Sequence, residues 1–394
     1  MEESDMRERL LELLDGICPA DRAAMEDART RWNSLAKPIG SLGFLEEAVV
    51  RAAGITGDAR HVSLNRPALV VMCADHGVVR EGVSQTGQEV TRIVAENFTR
   101  NQTSTSILCR RSGTDIFPVD IGMLGPSFPN GRPQPFVMLN RKVAEGSKNI
   151  VREAAMSMEE CLKALLAGLF LVRDLKERGY GILAVGEMGI GNTTPSSAVG
   201  SVLTGLSPKE VTGKGAGLSE AAFEKKKAAV AAAVGRFYEA HPEYASYAWL
   251  AEPAEKPECA KRIFHVCALL AELGGFDLAG MAGVFLGGAV YRLPVVMDGF
   301  ISSTAALCAV CMNPLVRDFL FPSHVSSETA SRAVLDALDM TAPLQLDMHL
   351  GEGSGAVALL PLLLMGVDVY EQMSTFQEIE VEPYLDYEAA GGMV

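Results

Sequence analysis

Four short apolar runs, each closing on a turn rich in glycine and acids, constrain this chain most. Ala68 to Cys73 leads into Ala74-Asp75-His76-Gly77, and Asp115 to Asp120 leads to Gly122. Gly181 to Val185 leads to Gly186-Glu187, and Pro294 to Met297 leads to Asp298-Gly299. Runs that stay apolar without alternation are buried on both faces, the habit of strands in parallel sheets. Between them lie helical patterns at Val90 to Cys109, Ser157 to Arg178, Ser219 to Tyr238, Ala260 to Leu273 and Leu278 to Val290, and Ser302-Ser303-Thr304 opens another. Strands alternating with helices predict an α/β fold, a mostly parallel sheet flanked by helices in the Rossmann-like manner. Ligands of such sheets bind beyond the carboxyl ends of the strands. The four turns are therefore expected to meet at one rim.

The remaining segments are read more simply. Residues 1 to about 60 are helical, with amphipathic stretches at Arg7 to Leu14 and Leu42 to Ala53. Gly125 to Arg152 reads as loops with a short strand near Phe136 to Leu139. Ala356 to Met373 is an apolar helix, and the acidic tail after Glu378 is frayed or docked at an edge. A length of 394 residues suits one large domain plus a smaller lobe.

Composition excludes several classes. A net charge of −14 argues against a nucleic-acid surface, though not against one phosphate held locally. No basic and apolar leader opens the chain, and the uncharged runs fall short of the ~20 apolar residues of a membrane span. The eight cysteines sit mostly in apolar surroundings, which suits a reduced, cytoplasmic protein. Cys308-Ala-Val-Cys311 lacks a second pair at metal spacing and reads as part of a buried helix. No metal and no cofactor is expected.

Two glutamates stand in glycine-rich turns: Glu187 in Gly186-Glu187-Met188-Gly189-Ile190-Gly191-Asn192-Thr193-Thr194, and Glu352 in Leu350-Gly351-Glu352-Gly353-Ser354-Gly355. Glycine permits close backbone approach and positive φ. The first turn passes from strand to helix with short polar side chains, a ready anion site. It carries neither a Rossmann fingerprint nor a Walker motif, and the plainer reading is a tight turn capped by Asn192 and Thr193. Glu352, partly buried, would be a stronger base than usual. The plainer reading there is a carboxylate beside a helix N-terminus. The loop Thr212 to Gly217 and the run Lys225-Lys226-Lys227 are weak alone, because successive helical residues point about 100° apart. His76 and His349 are assigned to structural hydrogen bonds, since no triad and no G-x-S-x-G elbow accompanies them.

Six ordered blocks give these turns a context. They are Lys37-Pro38-Ile39-Gly40-Ser41-Leu42-Gly43-Phe44-Leu45-Glu46, Ala74 to Val78 with Glu81 to Ser84, Gly186 to Thr194, Gly274-Gly275-Phe276-Asp277 through Gly283, Asp298 to Ser302, and Leu346 to Gly355. Over roughly residues 30 to 375 the chain resembles the nicotinate-nucleotide–dimethylbenzimidazole phosphoribosyltransferases of cobalamin biosynthesis. The resemblance implies transfer of phosphoribose from nicotinate mononucleotide to a benzimidazole-type base, with nicotinate released. It implies Glu352 as general base and Glu187 as its assistant. Gly189, Gly191, Asn192, Thr193, Lys226, Gly274, Ser302, Ser303 and Gly351 would hold the nucleotide and its phosphate. Ser84, Thr86, Gln88, Met188 and Leu350 would line the base pocket. It further implies a large α/β nucleotide-binding domain at 65–335, a small, mainly helical lobe from 1–64 and 336–394, and a homodimer. Thr86-Gly87-Gln88, Asn101-Gln102-Thr103, the segment 251–259 and the tail depart from the family pattern. A purine or phenolic acceptor, or a non-catalytic nucleotide-binding subunit, are the alternatives.

Overall fold

The computed structural model describes residues 2–127, 137–215, 217–246, 250 and 256–384. Its sheet comprises β1 (Pro67–Ala74), β2 (Asp115–Gly122), β3 (Leu139–Asn140), β4 (Ile182–Met188), β5 (Val295–Met297) and β6 (Leu320–Pro322). The spatial order is β3-β2-β1-β4-β5-β6, and every pairing is parallel. β1 and β4 are central and buried along their whole length, as their unbroken apolar runs require. The chain winds outward from β1 through β2 to β3, then returns to β4 on the other side of β1. That reversal opens a crevice at the carboxyl ends of β1 and β4. Glu187 lies there, in register with Met72.

The helices arise where the caps stand. Ser157 opens Met158–Glu177 with a capping box, its hydroxyl accepting from the Glu160 N–H at 3.1 Å while the Glu160 carboxylate accepts from the Ser157 N–H at 2.8 Å. Ser219 opens Glu220–Ala240, accepting from Ala222 N–H at 3.3 Å. Phe276–Val290 is buried nearly throughout and packs backbone to backbone on Met158–Glu177. A Cβ at Gly283 or Gly168 would run into the facing main chain. This contact fixes the start of Phe276–Val290, and hence Asp277, beneath the crevice.

Three differences from the sequence reading matter. The stretch Val90 to Cys109 is two helices, Glu89–Thr99 and Ser104–Ser112. Asn101 breaks them with φ +59°, and Thr103 recaps the second through Ser106 N–H at 3.0 Å. β6 went unread because it has three residues and ends in proline, which only an edge strand tolerates. The short strand near 136–139 begins only at Leu139. The segment 251–259 lies partly outside the described residues, and the tail beyond 384 wholly so.

The chain ends meet. Ala36 N–H donates to the Ser374 carbonyl at 2.9 Å and Phe376 N–H to that of Ser34 at 3.0 Å. Trp32 and Tyr370 rings lie 5.1 Å apart. The motif Lys37 to Glu46 closes on itself, Lys37 Nζ reaching Glu46 Oε1 at 2.7 Å with both side chains buried. The helix Ser354–Gln372 is long and apolar enough to cross a membrane by length and composition alone. It packs against Ser104–Ser112, Phe44–Thr56, β4 and β5, with Gly366 close to Leu45 and Val49.

Candidate active site

A cavity of about 240 Å³ lies over the crevice. The turn after β4 forms one wall, and the Leu350–Glu352 turn forms another. The two glutamate turns therefore share one cleft, and glycine is the reason they can. A Cβ at Gly186 would strike the backbone of Glu352 and Gly353, and one at Gly351 would strike the Glu187 carboxylate. Gly351, Glu352 and Gly353 are successively left-handed, with φ of +83°, +61° and +82°. For Glu352 that conformation costs on the order of 1 kcal/mol, a strain that persists only where the surroundings over-determine it.

Asp298 does so. It follows β5, and it is 3 % exposed. Its carboxylate accepts from the N–H groups of Gly353 (3.0 Å), Gly355 (2.8 Å) and Ala356 (3.1 Å). Those donors are the unsatisfied first turn of Ser354–Gln372, so Asp298 caps a helix more than fifty residues away in sequence. Burial raises its pKa, against the opposing influence of His324 and these N–H donors. The Glu352 side chain is half-buried, and Thr105 Oγ1 donates to its Oε2 at 3.0 Å. Burial pushes the Glu352 carboxyl up; the Thr105 bond pulls it down, and the Asp298 charge pushes it up further.

Glu187 is enclosed, and burial together with the Asp277 charge pushes its pKa up to about 8. Asn192 Nδ2 donates to its Oε2, and Glu352 N–H approaches its Oε1 at 3.4 Å. The Asn192 side chain thus serves Glu187 and does not cap its own helix, Thr193–Thr204. Behind this pair, Asp277 Oδ2 meets His76 Nε2 at 3.1 Å and Asn192 Nδ2 at 3.4 Å. Burial disfavours the His76 imidazolium, but the Asp277 charge and hydrogen bond outweigh it and the net shift is upward.

The cationic corner is Lys226. It is 1 % exposed, while its neighbours Lys225 and Lys227 face outward or lie at the rim. Its Nζ donates to Thr193 Oγ1 at 2.9 Å and to the Gly213 carbonyl at 2.8 Å. Burial lowers its pKa to about 8, with Glu328 opposing. Ser302, at the start of the helix Phe300–Met312, lines the same cavity, as do Lys214 and Gly215.

Of the residues singled out from sequence, Glu187, Glu352, Gly189, Gly191, Asn192, Thr193, Lys226, Ser302, Gly351, Ser84, Met188 and Leu350 line this cavity. Gly274, Ser303, Thr86 and Gln88 are not among its lining residues. Gly274 sits where Lys256–Leu273 ends, tight against the Leu270 carbonyl. Ser303 is buried one helical step beyond Ser302. Thr86 N–H bonds Ser84 Oγ at 3.3 Å, and Gln88 Nε2 donates to the His76 carbonyl at 2.9 Å. Thr105, Asp277, His324 and Glu328 were missed, and Asp298 was placed at the rim without a role. His349, assigned to structure, lines the cavity with its Nδ1 3.1 Å from the Asp347 carbonyl.

The chain is similar to known proteins along nearly its whole length. A phosphoribosyltransferase family model matches residues 17–381. The nicotinate-nucleotide–dimethylbenzimidazole phosphoribosyltransferase of Clostridium acetobutylicum is 40 % identical over 372 residues, covering 94 % of this chain and 97 % of that one. Its counterpart in Ruminiclostridium cellulolyticum is also 40 % identical, over 373 residues, covering 95 % and 98 %. The crystal structure of CobT from Thermus thermophilus superposes with a TM-score of 0.80 at 38 % identity, covering 92 % of this chain and all of that one. The chain belongs to the nicotinate-nucleotide–dimethylbenzimidazole phosphoribosyltransferase family.

Proposed function

We propose that this chain transfers phosphoribose from nicotinate mononucleotide to a benzimidazole-type base, giving an α-ribazole-type 5′-phosphate and nicotinate for the lower nucleotide loop of cobalamin. The observation that carries the reading is the charge layout of the cavity. Lys226, with Thr193 and the N-terminus of Thr193–Thr204, matches a phosphate. Glu352, with the Asp298 carboxylate behind its turn, matches a cationic pyridinium ring and the positive charge that develops at C1′ as the bond to it breaks, while Glu187 beside it stays neutral.

The base's ring nitrogen attacks C1′ from the face opposite the nicotinate. The C1′–N bond breaks and its electron pair returns to the pyridine nitrogen, so the leaving group needs no proton. Glu352 takes the ring N–H proton of the incoming base. Its raised pKa strengthens it as a base, and the Thr105 bond holds its carboxylate in place. Glu187, kept protonated up to about pH 8, donates a hydrogen bond without adding a second full charge. Asp298 acts through the turn it caps and is a positioning residue.

The test is incubation with nicotinate mononucleotide and a panel of benzimidazoles, purines and phenols, reading nicotinate and the new α-glycoside by mass. Product with benzimidazoles first is expected. No nicotinate release with any acceptor would leave only a nucleotide-binding protein.

The division into a large domain at 65–335 and a small lobe from 1–64 and 336–394 belongs to the same reading, supported by the bonds between Ala36 and Ser374 and between Ser34 and Phe376. So do a cytoplasmic location and assembly as a homodimer. Sedimentation equilibrium measures the dimer directly, and a monomer at assay concentration would refute it.

A further inference from the structure

Two of the ordered sequence blocks, Ala74 to Val78 and Gly274 to Gly283, meet behind the cleft. They supply His76 and Asp277, which are 1 % and 0 % exposed and do not line the cavity. An imidazole fits there because glycines flank it. A Cβ at Gly275 would strike the His76 ring, and one at Gly189 would crowd its Nε2. Asp277 stands in the first turn of Phe276–Val290. Its Oδ1 accepts from the Leu278 N–H at 2.9 Å, and its Oδ2 from His76 Nε2 at 3.1 Å. A carboxylate so deeply buried needs such partners to stay charged.

Asn192 joins this pair to the cleft. A primary amide carries two N–H donors. Asn192 Nδ2 reaches both Glu187 Oε2 and, at 3.4 Å, Asp277 Oδ2, so each hydrogen has its own carboxyl. A half-turn of the amide would set its oxygen against the Asp277 carboxylate, so one rotamer is enforced. Glu187 Oε1 in turn faces the Glu352 N–H at 3.4 Å. His76, Asp277, Asn192, Glu187 and Glu352 thus form one chain of polar contacts, from a sealed pair to the left-handed turn. Other ionisable groups also surround Glu187. Cys73 faces it from β1 and Asp298 from the end of β5, while Lys226 and His324 line the same cavity. Of these neighbouring charges, that of Asp277 acts on it most strongly.

We propose that Asp277, backed by His76, is a positioning residue for the phosphoribosyl transfer: it locks the Asn192 amide, which holds the Glu187 carboxyl against the Glu352 turn. The role rests on the reaction proposed above, but its first test does not. In protein carrying ¹³Cδ-glutamate, the Glu187 signal is assigned by its loss in Glu187→Gln. Asp277→Asn keeps the shape and removes the charge, so the Glu187 titration midpoint is expected to fall by about one pH unit or more. His76→Gln keeps a donor toward Asp277 and removes the compensating charge, so the midpoint should rise. Loss of packing alone would not move the two variants in opposite directions. Asp277→Asn should also lower kcat about tenfold or more, with KM for the nucleotide within about threefold. The same change in a Glu187→Gln background should cost less than about twofold, because the two residues act as one unit. A midpoint unmoved by Asp277→Asn, or equal kcat losses in both backgrounds, would overturn the proposal. Should Asp277→Asn not fold, His76→Gln decides: a midpoint that stays or falls overturns it. The carboxyl titration needs no turnover, so failure of the reaction and failure of this role read out separately.

Discussion

The carboxylate-rich part of the cavity and its lysine corner have opposite electrostatic problems and solve them differently. Around Glu187, several acids are buried close together, and the strain is relieved by protonation: one carboxyl is held neutral to about pH 8. Asp298 relieves its own burial with three backbone N–H donors. Lys226 is buried with only a hydroxyl and a carbonyl as hydrogen-bond partners among the described residues, and its pKa falls to about 8. The acidic part is thus a connected hydrogen-bond network that a substitution disorders. The lysine corner is under-satisfied and suited to receive an anion.

That contrast can be broken at its strongest point first. Glu352→Gln keeps the turn but removes the proton acceptor, so kcat is expected to fall by about 10²- to 10⁴-fold. Nucleotide affinity by calorimetry should stay within about threefold, since no phosphate contact is lost. Turnover near the parent value would remove Glu352 from the chemistry.

Asp298→Asn tests whether the acidic part works as a network. An amide can accept at one oxygen only and turns an N–H₂ toward backbone donors. The left-handed Glu352 should lose its register, with kcat down roughly 10- to 100-fold, as sub-ångström misplacement allows. The midpoint of thermal unfolding should fall with it, because buried N–H groups lose their acceptor at about 1–3 kcal/mol. A variant with lowered stability and unchanged kcat would reduce Asp298 to a helix cap.

Lys226→Ala sharpens the other side. Loss of a charge-assisted bond to phosphate is worth about 1.5–3 kcal/mol, so KM for the nucleotide should rise roughly 10- to 100-fold with kcat less affected. An unaltered KM would show that the phosphate sits elsewhere.

Thr105→Val is the mildest. The Thr105 bond favours the ionised Glu352, so its loss raises the Glu352 pKa. The acid limb of the kcat profile should move to higher pH, with a fewfold loss near neutrality, matching one hydrogen bond of about 1 kcal/mol. A limb that moves downward or not at all would assign it to another group.

How much of this was legible depended on whether the determining contacts were local. β1 and β4 announce themselves because burial on both faces leaves an unbroken apolar run. The helices opening at Ser157 and Ser219 were legible from their patterns, and each serine's capping partner lies only three residues on. The glutamate turns stood out by their glycines, but that Gly186 lets one lie against the other is a property of two segments 165 residues apart. Lys226 could be told from Lys225 and Lys227 only through family resemblance, since three adjacent lysines carry no face of their own. Thr105 and Asp298 were hidden for the same reason: each acts on a turn far along the chain. Gly274 and Ser303, expected to help hold the nucleotide, do not line this cavity, a matter of a rotation angle and a helix end that one-dimensional spacing does not contain.

The Asp298 joint also limits how the gene could be rearranged. One carboxylate closes both the exit of a strand and the entry of the last long helix, so new termini opened between Gly353 and Ala356 would strand its oxygens without donors. Circular permutation or domain grafting would have to keep that seam whole and cut on the far side of the sheet.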